Sequence, residues 1–337
     1  MTRHLWTYAA CLLLAACGSA PGAGGVQELR MPTGAGGVGF LPLRVMQEYN
    51  LIAEHATQAG LPNVTVRWVE VGGPAVLNDA LLAGSIDFIA AGPPAFITLW
   101  DRTFESTKVM GVAAVSALPM YLNTKADHLR TIDDLRDTDK VGVTAIKVSI
   151  PSLVMQMYAR DKYGPSDALR FDRNTVAITH PDGVVALLSG SNAISAHFTS
   201  PPFHQRERRD PGVRTIMTSD QVMGGATTFV MLSTTSRFRE QNPALTGAVL
   251  AALRDAQARI AADPQAAARL LLQEEGEGGF TVDEVAGVLT DPDVHFTVTP
   301  QNTMKYAAFM HDIGSIRHRP ASWQDMFFPE IHGEPGN

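Results

Sequence analysis

A glycine-rich segment is the first feature of this chain that is suited to binding a ligand. Gly36 and Gly37 belong to the run Gly34 to Gly39, and glycines leave backbone N–H groups open to a polar or anionic ligand. A purely structural turn is the alternative role. The run formally matches a dinucleotide-binding pattern, but the acid Glu70 follows about thirty residues later, where that fold requires about twenty. We therefore reject the dinucleotide interpretation.

Gly92 and Pro93 form a second candidate binding loop. They follow Ile86 to Ala91, an apolar run in which Asp87 is the only polar residue. Such a run predicts a parallel strand that is buried on both faces. Glycine followed by proline then predicts the start of a helix. The loop should lie at the carboxyl end of the strand, where open α/β sheets bind small ligands.

A third candidate loop follows the predicted strand Lys140 to Thr144. Ser149 precedes Pro151, at which a long helix is predicted to begin. Its hydroxyl therefore either caps that helix or holds a ligand oxygen together with free N–H groups. Lys147 is either a counter-charge for an anion or a solvated lysine.

The order of elements around Gly92 returns about a hundred residues later. Pro181 to Phe203 again contains a helix, a glycine stop, a buried strand and a prolyl loop, and its segment ALLSG matches the earlier ALLAG. This predicts an internal duplication and two related α/β lobes, although chance matches are the alternative in a chain rich in alanine and leucine. His197 ends the second strand as a structural residue or a ligand contact. Phe198 is either an apolar wall of the site or part of the core.

The residues predicted to bind the ligand come from these loops. They are Gly36, Gly37, Val38, Gly92, Pro93, Thr144, Lys147, Ser149, His197 and Phe198. The sequence contains no H-E-x-x-H motif, no G-x-S-x-G motif and no cluster with the spacing of metal ligands. We therefore expect a binding protein with no catalytic residues, no metal ion and no cofactor.

The amino terminus predicts export and a lipid anchor. An apolar stretch, Leu5 to Leu14, is too short for a typical membrane span, and it is followed by small residues and Cys17. This segment resembles a bacterial lipobox, in which cleavage before the cysteine leaves a diacylated residue. We expect a signal peptide over 1–17, acylation of Cys17 and a flexible tether over 18–27. An ordinary signal peptide that is cut elsewhere is the alternative.

The positions of the cysteines and the net charge exclude several kinds of site and partner. The two cysteines, Cys11 and Cys17, both lie in the predicted signal segment, so the mature domain has no disulfide and no thiol ligand. The formal net charge of -7 gives no electrostatic footprint for nucleic acid. The basic cluster Arg206 to Arg209 is interrupted by Glu207, which predicts a solvated helix face. No nucleic-acid partner is expected.

Several of these segments together resemble a known family. They are the lipobox, the stretches ALLAGSIDFIAAGPPAF and ALLSGSNAISAHFTSPPF, and the closing NTMKYAAFMHDIGSIRHRPASWQDMFF. In their order and spacing they are similar to the substrate-binding proteins of nitrate, sulfonate and taurine ABC importers. The resemblance implies a type II periplasmic-binding fold, with two α/β lobes joined by two hinge crossings and the ligand cleft between them. It also implies a membrane permease and a cytoplasmic ATPase as partners.

The predicted organisation follows from these readings. Lobe 1 covers 28–118 plus 232–337, lobe 2 covers 119–231, and the protein is an extracytoplasmic monomer that reaches the membrane through its lipid anchor. The expected ligand is a small oxygen-rich or anionic solute, with nitrate, sulfonates, taurine, pyrimidines and aromatic acids all left open.

Two other functions are open at this point. One is an enzyme that acts on a small heterocycle, as in the fungal thiamine pyrimidine synthases that the family also resembles. Those enzymes need a cysteine-rich motif, which the mature chain lacks. The other is a ligand-sensing subunit that presents its closed form to a receptor.

Overall fold

A computed structural model describes residues 27–70, 74–190, 193–275 and 279–337. The predicted signal peptide, the acylation site Cys17 and the tether up to residue 26 lie outside these ranges. Helices and strands are interleaved up to β10, as predicted for an α/β protein, and five helices follow in succession. Within these ranges, none of the helices combines the length and the apolar character needed to cross a bilayer.

Ten strands occur in the described ranges. They are β1 (Gln27–Pro32), β2 (Val64–Val69), β3 (Ile89–Ala91), β4 (Val109–Ala117), β5 (Tyr121–Thr124), β6 (Val141–Val143), β7 (Thr175–Ala177), β8 (Ala196–Thr199), β9 (Arg214–Thr218) and β10 (Thr228–Thr235).

Thirteen α-helices connect and cover these strands in the same ranges. They are α1 (Leu41–Glu48), α2 (Leu51–Gln58), α3 (Pro74–Leu82), α4 (Pro93–Arg102), α5 (Ile150–Tyr163), α6 (His180–Leu188), α7 (Phe203–Arg208), α8 (Ser219–Met223), α9 (Ser236–Gln241), α10 (Pro243–Ala262), α11 (Pro264–Glu275), α12 (Val282–Leu289) and α13 (Thr303–Asp312).

The first lobe is built on β2, β1, β3, β10 and β4. β1 pairs in parallel with β2, and β10 lies antiparallel between β3 and β4. Asp87 connects the two groups of strands. Its backbone N–H donates to the carbonyl of Arg30 at 3.0 Å, and its carboxylate accepts from the backbone N–H of Arg30 at 2.8 Å and from the guanidinium at 2.6 Å. The polar residue in the otherwise apolar run therefore joins neighbouring strands.

The second lobe is built on β7, β6, β8, β5 and β9 in that order. β6 is parallel to β7 and β8, and β5 lies antiparallel between β8 and β9. In each lobe a strand next to the edge, β10 or β5, thus runs antiparallel to both of its neighbours. β3 is preceded by α3 and followed by α4, and β8 is preceded by α6 and followed by α7. This shared order is what an internal duplication predicts.

The chain passes between the two sheets twice. The first passage joins Ala117 at the end of β4 to Tyr121 at the start of β5, and the second joins α8 to Thr228 at the start of β10. In each case the strand next to the passage becomes the antiparallel strand inside a sheet. The limits 118/119 and 231/232 of the two lobes stay a prediction.

One predicted helix is broken in the structure. The sequence pattern predicts a single helix over Pro42 to Gly60, whereas α1 ends at Glu48 and α2 begins at Leu51. Asn50 between them has a φ of 51°, in the left-handed region that asparagine tolerates better than most residues. A residue in that conformation interrupts the helical hydrogen bonds and redirects the chain.

The aromatic tail Trp323 to Phe328 packs on the first lobe. Phe327 is fully buried, with its ring centroid 5.6 Å from that of Phe96. The backbone N–H of Phe328 donates to the carbonyl of Gly111 on β4 at 2.9 Å. A Cβ on Gly111 would lie 2.4 Å from the ring of Phe327, so the glycine is needed for this close approach. The tail is therefore part of the core of this lobe.

We expect the substitution Phe327→Ala to lower the free energy of unfolding by about 3–5 kcal/mol, because it removes a buried ring and leaves a cavity. Urea unfolding followed by fluorescence measures this change. Leu169→Ala is the control, since Leu169 is 51% exposed and its truncation should change stability by less than about 0.5 kcal/mol. Equal midpoints for the two variants would show that the tail does not stabilise the lobe.

Candidate binding cleft between the lobes

A cavity of about 150 Å³ lies between the two lobes. Its lining comes from the carboxyl ends of β1 and β3 in the first lobe and of β6 and β8 in the second. Met120 and Phe229, next to the two chain passages, complete the wall. A dry cavity of about this volume can hold a molecule of the size of benzene. The space therefore suits a small solute that contacts both lobes.

Three helices begin at the cavity. α4 begins after Gly92, α5 begins after Ser149, and α6 begins at His180; all three residues line the cavity. A helix amino terminus carries partial positive charge and free N–H groups, which favour an anion or a negatively polarised oxygen. The first two residues of α4 are Pro93 and Pro94, which lack the N–H. That terminus therefore contributes its dipole with fewer donors than the others.

Ser149 caps α5. Its hydroxyl oxygen lies 3.5 Å from the backbone N of Ser152, and its O–H donates to the carbonyl of Ala145 at 2.6 Å. The capping role left open by the sequence is thus present, and Ser149 also lines the cavity. The hydroxyl holds the loop after β6 against the first turn of α5, and this fixes the shape of the cavity wall.

The cavity wall is largely apolar. Phe40, Met120, Ile150 and Phe229 form much of it, and among the described residues that line it none is Lys, Arg, Asp or Glu. Lys147, which the sequence suggested as a counter-charge, is exposed and lies outside the lining. Charge complementarity to a ligand would have to come from helix termini, hydroxyl groups and imidazole.

Four of the sequence-predicted residues line the cavity: Gly36, Gly92, Thr144 and Ser149. Gly37 lies at the junction of the lobes, where a Cβ would be 3.5 Å from the ring of Phe203. Their contacts with a ligand stay a prediction.

The other predicted residues lie behind the lining. Val38 and Phe198 are fully buried in the hydrophobic core, and Pro93 is buried beside Pro94, which does face the cavity. His197 is also fully buried, and another histidine, His180, stands between it and the cavity.

His180 is the main site residue that the sequence reading missed. It follows β7 and stands directly before Pro181 at the start of α6. A signal was present, because proline at a first helical turn marks a helix amino terminus, and the duplication places such termini at the cleft. Phe40, Met120 and Phe229 carried no such local signal.

A buried acid accompanies His197. The Nδ1 atom of His197 lies 2.5 Å from Oε1 of Glu207, and Oε2 of Glu207 accepts a hydrogen bond from the side-chain amide of Asn123 at 2.8 Å. All three side chains are fully buried. The predicted solvated helix face is therefore wrong for Glu207, although Arg208 and Arg209 are exposed. Each helical residue turns about 100° from the last, so Glu207 points to the sheet while its neighbours point to water.

The two histidines lie next to each other. Nδ1 of His180 lies 3.4 Å from Nε2 of His197 and 3.2 Å from the hydroxyl of Thr199, and the ring of His180 stacks on Phe203 with centroids 5.4 Å apart. Burial, together with the nearby charge of His197, lowers the pKa of His180 to about 3. The His180 ring is therefore neutral at physiological pH. A Cβ on Gly183 would lie 2.4 Å from the His197 ring, so this part of α6 needs glycine.

An ionic contact joins the two lobes. Arg209, just after α7 of the second lobe, pairs with Glu284 on α12 at 2.7 Å and donates to the carbonyl of Gly279 at 2.6 Å. Its guanidinium also lies 4.5 Å from the centroid of the Phe280 ring. α12 packs on α11, which packs on α1 of the first lobe. The contact therefore joins the two lobes in this conformation.

Across the ranges that the structure describes, no group of three or more His, Cys, Asp or Glu side chains is placed to hold a metal ion.

We expect Arg209→Gln to shift the protein toward a more open arrangement of the lobes, because it removes an ion pair and a cation–π contact that join the two lobes. Arg209 is partly exposed, so the population shift should be about fivefold or less. Small-angle scattering of the ligand-free protein measures it as a larger radius of gyration. The matched control is Arg208→Gln, since Arg208 bonds to the carbonyl of Val213 within its own lobe. An unchanged radius for Arg209→Gln would remove this contact from closure.

Comparison with solved structures gives the fold. No protein-family model matches the chain, and no curated protein sequence matches it. The alkanesulfonate-binding protein from Xanthomonas axonopodis pv. citri, bound to MOPS, is similar with 16% identity over 87% of this chain and 95% of that chain, at a TM-score of 0.64. The periplasmic nitrate-binding protein from Synechocystis PCC 6803 has 14% identity over 89% and 84%, at a TM-score of 0.66.

A Candida albicans protein described as having the generic periplasmic binding protein fold is similar as well. It has 12% identity over 90% of this chain and 94% of that chain, at a TM-score of 0.63. The structural neighbours thus include sulfonate- and nitrate-binding proteins, in agreement with the resemblance read from the sequence. The chain has the periplasmic binding protein fold, with two α/β lobes about a cleft.

Proposed function

We propose that this chain is the solute-binding component of an ABC importer and that it captures a small oxygen-rich or anionic organic solute between its lobes. The observation that carries this proposal is the cavity of about 150 Å³, which is lined from both lobes at the carboxyl ends of the strands. Open α/β folds bind their ligands at this position. The structural likeness to sulfonate- and nitrate-binding proteins supports the same role.

Binding and closure are one process in this proposal. A solute in the cavity would contact Gly36 and Gly92 from the first lobe and Ser149 and His180 from the second. It stabilises the closed arrangement by the difference between its affinities for the closed and open forms. The closed form is then the state recognised by a membrane permease and its cytoplasmic ATPase.

The lining favours an organic solute over a bare inorganic anion. Phe40, Met120 and Phe229 present apolar surface, which a nitrate ion would leave uncovered. Helix amino termini and the Thr144 hydroxyl can meet an acidic or oxygen-bearing group at the other end. A small sulfonate or carboxylate with a compact apolar body fits both properties.

The protein is proposed to act outside the cytoplasm as a monomer held by acyl chains on Cys17, with lobes at 28–118 plus 232–337 and at 119–231. In an exporting bacterium supplied with labelled palmitate, the chain should take up label and fractionate with the membrane. Cys17→Ser should abolish the label and leave the protein soluble, because acyl chains provide the anchor. Cys11→Ser, a change inside the same segment, should keep both properties. Labelled Cys17→Ser protein would contradict the assignment.

Ligand binding is tested on the chain from residue 18 with Cys17 absent. Thermal unfolding is measured with aliphatic and aromatic sulfonates, carboxylates, nitrate and pyrimidines. A ligand at about one hundred times its dissociation constant should stabilise the protein by about 2.7 kcal/mol. Recovery of the compound unchanged separates a binding protein from an enzyme, and absence of any stabilisation by the acids would contradict the proposal.

Gly92→Val should remove that stabilisation while the protein stays folded. Gly92 has a φ of -67° and a ψ of 157°, which valine adopts readily. A Cβ there would lie 3.2 Å from Cδ1 of Ile150 and 3.4 Å from the carbonyl oxygen of Phe229, and both residues line the cavity, so the larger side chain would narrow it. Calorimetric titration with the best acid measures the loss. Gly333→Val is the control, because no atom lies within 4 Å of the added Cβ there. Equal affinity of the two variants would show that the ligand binds elsewhere.

A further inference from the structure

We propose that His180 selects the ligand by presenting its Nε2–H to an acceptor oxygen, and that His197 and Glu207 fix this tautomer. This inference rests on the proposed function, since it concerns the same cavity. It assigns the polar end of the ligand to a carboxylate, sulfonate or carbonyl oxygen and excludes an ammonium or amidinium at that position.

Glu207 and His197 form a buried pair whose charges have to balance. Glu207 is fully buried, and an ionised carboxylate without solvent needs an opposite charge and hydrogen-bond donors. In the described part of the chain these are His197 at 2.5 Å and the amide of Asn123 at 2.8 Å. A buried pair without net charge holds one proton in the short contact between Nδ1 of His197 and Oε1 of Glu207, and a second proton on Nε2 of His197.

The hydrogen bond between His197 and His180 determines which nitrogen of His180 carries the proton. With Nδ1–H of His197 bonded to Glu207, its Nε2–H is left to donate to Nδ1 of His180, 3.4 Å away. The hydroxyl of Thr199, 3.2 Å from the same Nδ1, can also donate to it. A ring nitrogen that accepts cannot carry the proton, so a neutral His180 holds its proton on Nε2.

Nε2 of His180 is the nitrogen left available to a ligand. His180 lines the cavity, and its Nε2 makes no hydrogen bond with any residue that the structure describes. The stack on Phe203 fixes the plane of the ring. A donor is therefore held at the cavity wall by contacts that lie inside the protein. A ligand that places an acceptor oxygen at this nitrogen gains a hydrogen bond. A ligand that places a cationic N–H group there faces another donor, and no hydrogen bond forms.

The surroundings agree with an acceptor rather than a donor on the ligand. The helix amino termini at the cavity have the same polarity as the Nε2–H. No carboxylate is present among the described lining residues to bind a cationic group. Selection against cations would thus come from the lack of an acceptor as much as from the presence of a donor.

The tautomer can be measured without any ligand. Long-range ¹H–¹⁵N spectra of the wild-type protein should show His180 neutral with its proton on Nε2, and His180→Phe identifies the signal by its loss. In Glu207→Gln the carboxylate that shares a proton with Nδ1 of His197 is gone, so Nε2 of His197 need no longer be a donor, and the proton of His180 should redistribute toward Nδ1. A His180 signal with the proton on Nδ1 in the wild-type protein would overturn the proposal, whatever the ligand is.

Selection is measured with benzoate and benzamidine, which share shape but differ in the polar group. Wild-type protein should bind benzoate in preference to benzamidine. His180→Phe, which keeps an aromatic ring against Phe203, should weaken benzoate binding by about 10- to 100-fold through loss of a charge-assisted hydrogen bond. His180→Gln, which keeps an N–H donor, should recover most of it. Benzoate bound equally well by wild type and His180→Phe would contradict the role of His180 and leave the solute-binding function intact.

Glu207→Gln separates positioning from folding. It should reduce the preference for benzoate over benzamidine while the protein keeps its circular dichroism spectrum. His204→Gln is the control, because His204 also lies on α7 and contacts Asn123 at 3.1 Å, whereas the hydrogen bonds of the His197 side chain among the described residues go to His180 and Glu207. Loss of preference in both variants would point to a general effect of α7, against a specific relay. If no acid of any kind stabilises the protein, the proposed function fails, and the tautomer measurement still decides the state of His180.

Discussion

A carboxylate with no exposed surface imposes the main constraint on the second lobe. Glu207 on α7 has to find its partners inside the protein, and it finds them on two different strands: His197 on β8 and Asn123 on β5. The carbonyl of the Asn123 side chain in turn accepts from the hydroxyl of Thr215 on β9 at 2.7 Å. Three strands and one helix are thereby held in one register. The cost of burying the charge is offset by these bonds, and the same bonds orient the imidazole groups that lead to the cavity.

The cleft combines an apolar wall with polarity supplied by backbone. Its electrostatics come from three helix starts and from neutral side chains, and its shape comes from Phe40, Met120 and Phe229. Backbone dipoles are fixed by the fold, so they need no reorganisation when a solute enters. A lysine or arginine in the same place would attract many anions; a hydrogen-bonding wall without a formal charge discriminates by geometry instead.

Local signals in the sequence located the loops but could not locate every side chain. Gly36, Gly92, Thr144 and Ser149 line the cavity because glycine, proline and cap residues mark the ends of strands and starts of helices, and the duplication places these ends together. The relation between His197 and Glu207 depends on how α7 is rotated against the sheet, which short segments do not record. Phe198 alternates with His197 along β8 and lies in the core. The break between α1 and α2 at the left-handed Asn50 could not be predicted from the sequence either, because asparagine adopts that conformation in a minority of cases.

The late position of β10 in the sequence also affects how the first lobe can form while the chain is being synthesised. β10, which pairs with both β3 and β4, follows the whole second lobe in the sequence. Thr228 is made roughly 6 to 22 seconds after Ala117, at ordinary rates of about 5–20 residues per second. During that interval β3 and β4 have open edges that face no partner strand, which is the state in which strands pair with other chains. The first lobe therefore cannot pair all its strands until β10 has been made, whereas β5 to β9 of the second lobe are contiguous in the sequence.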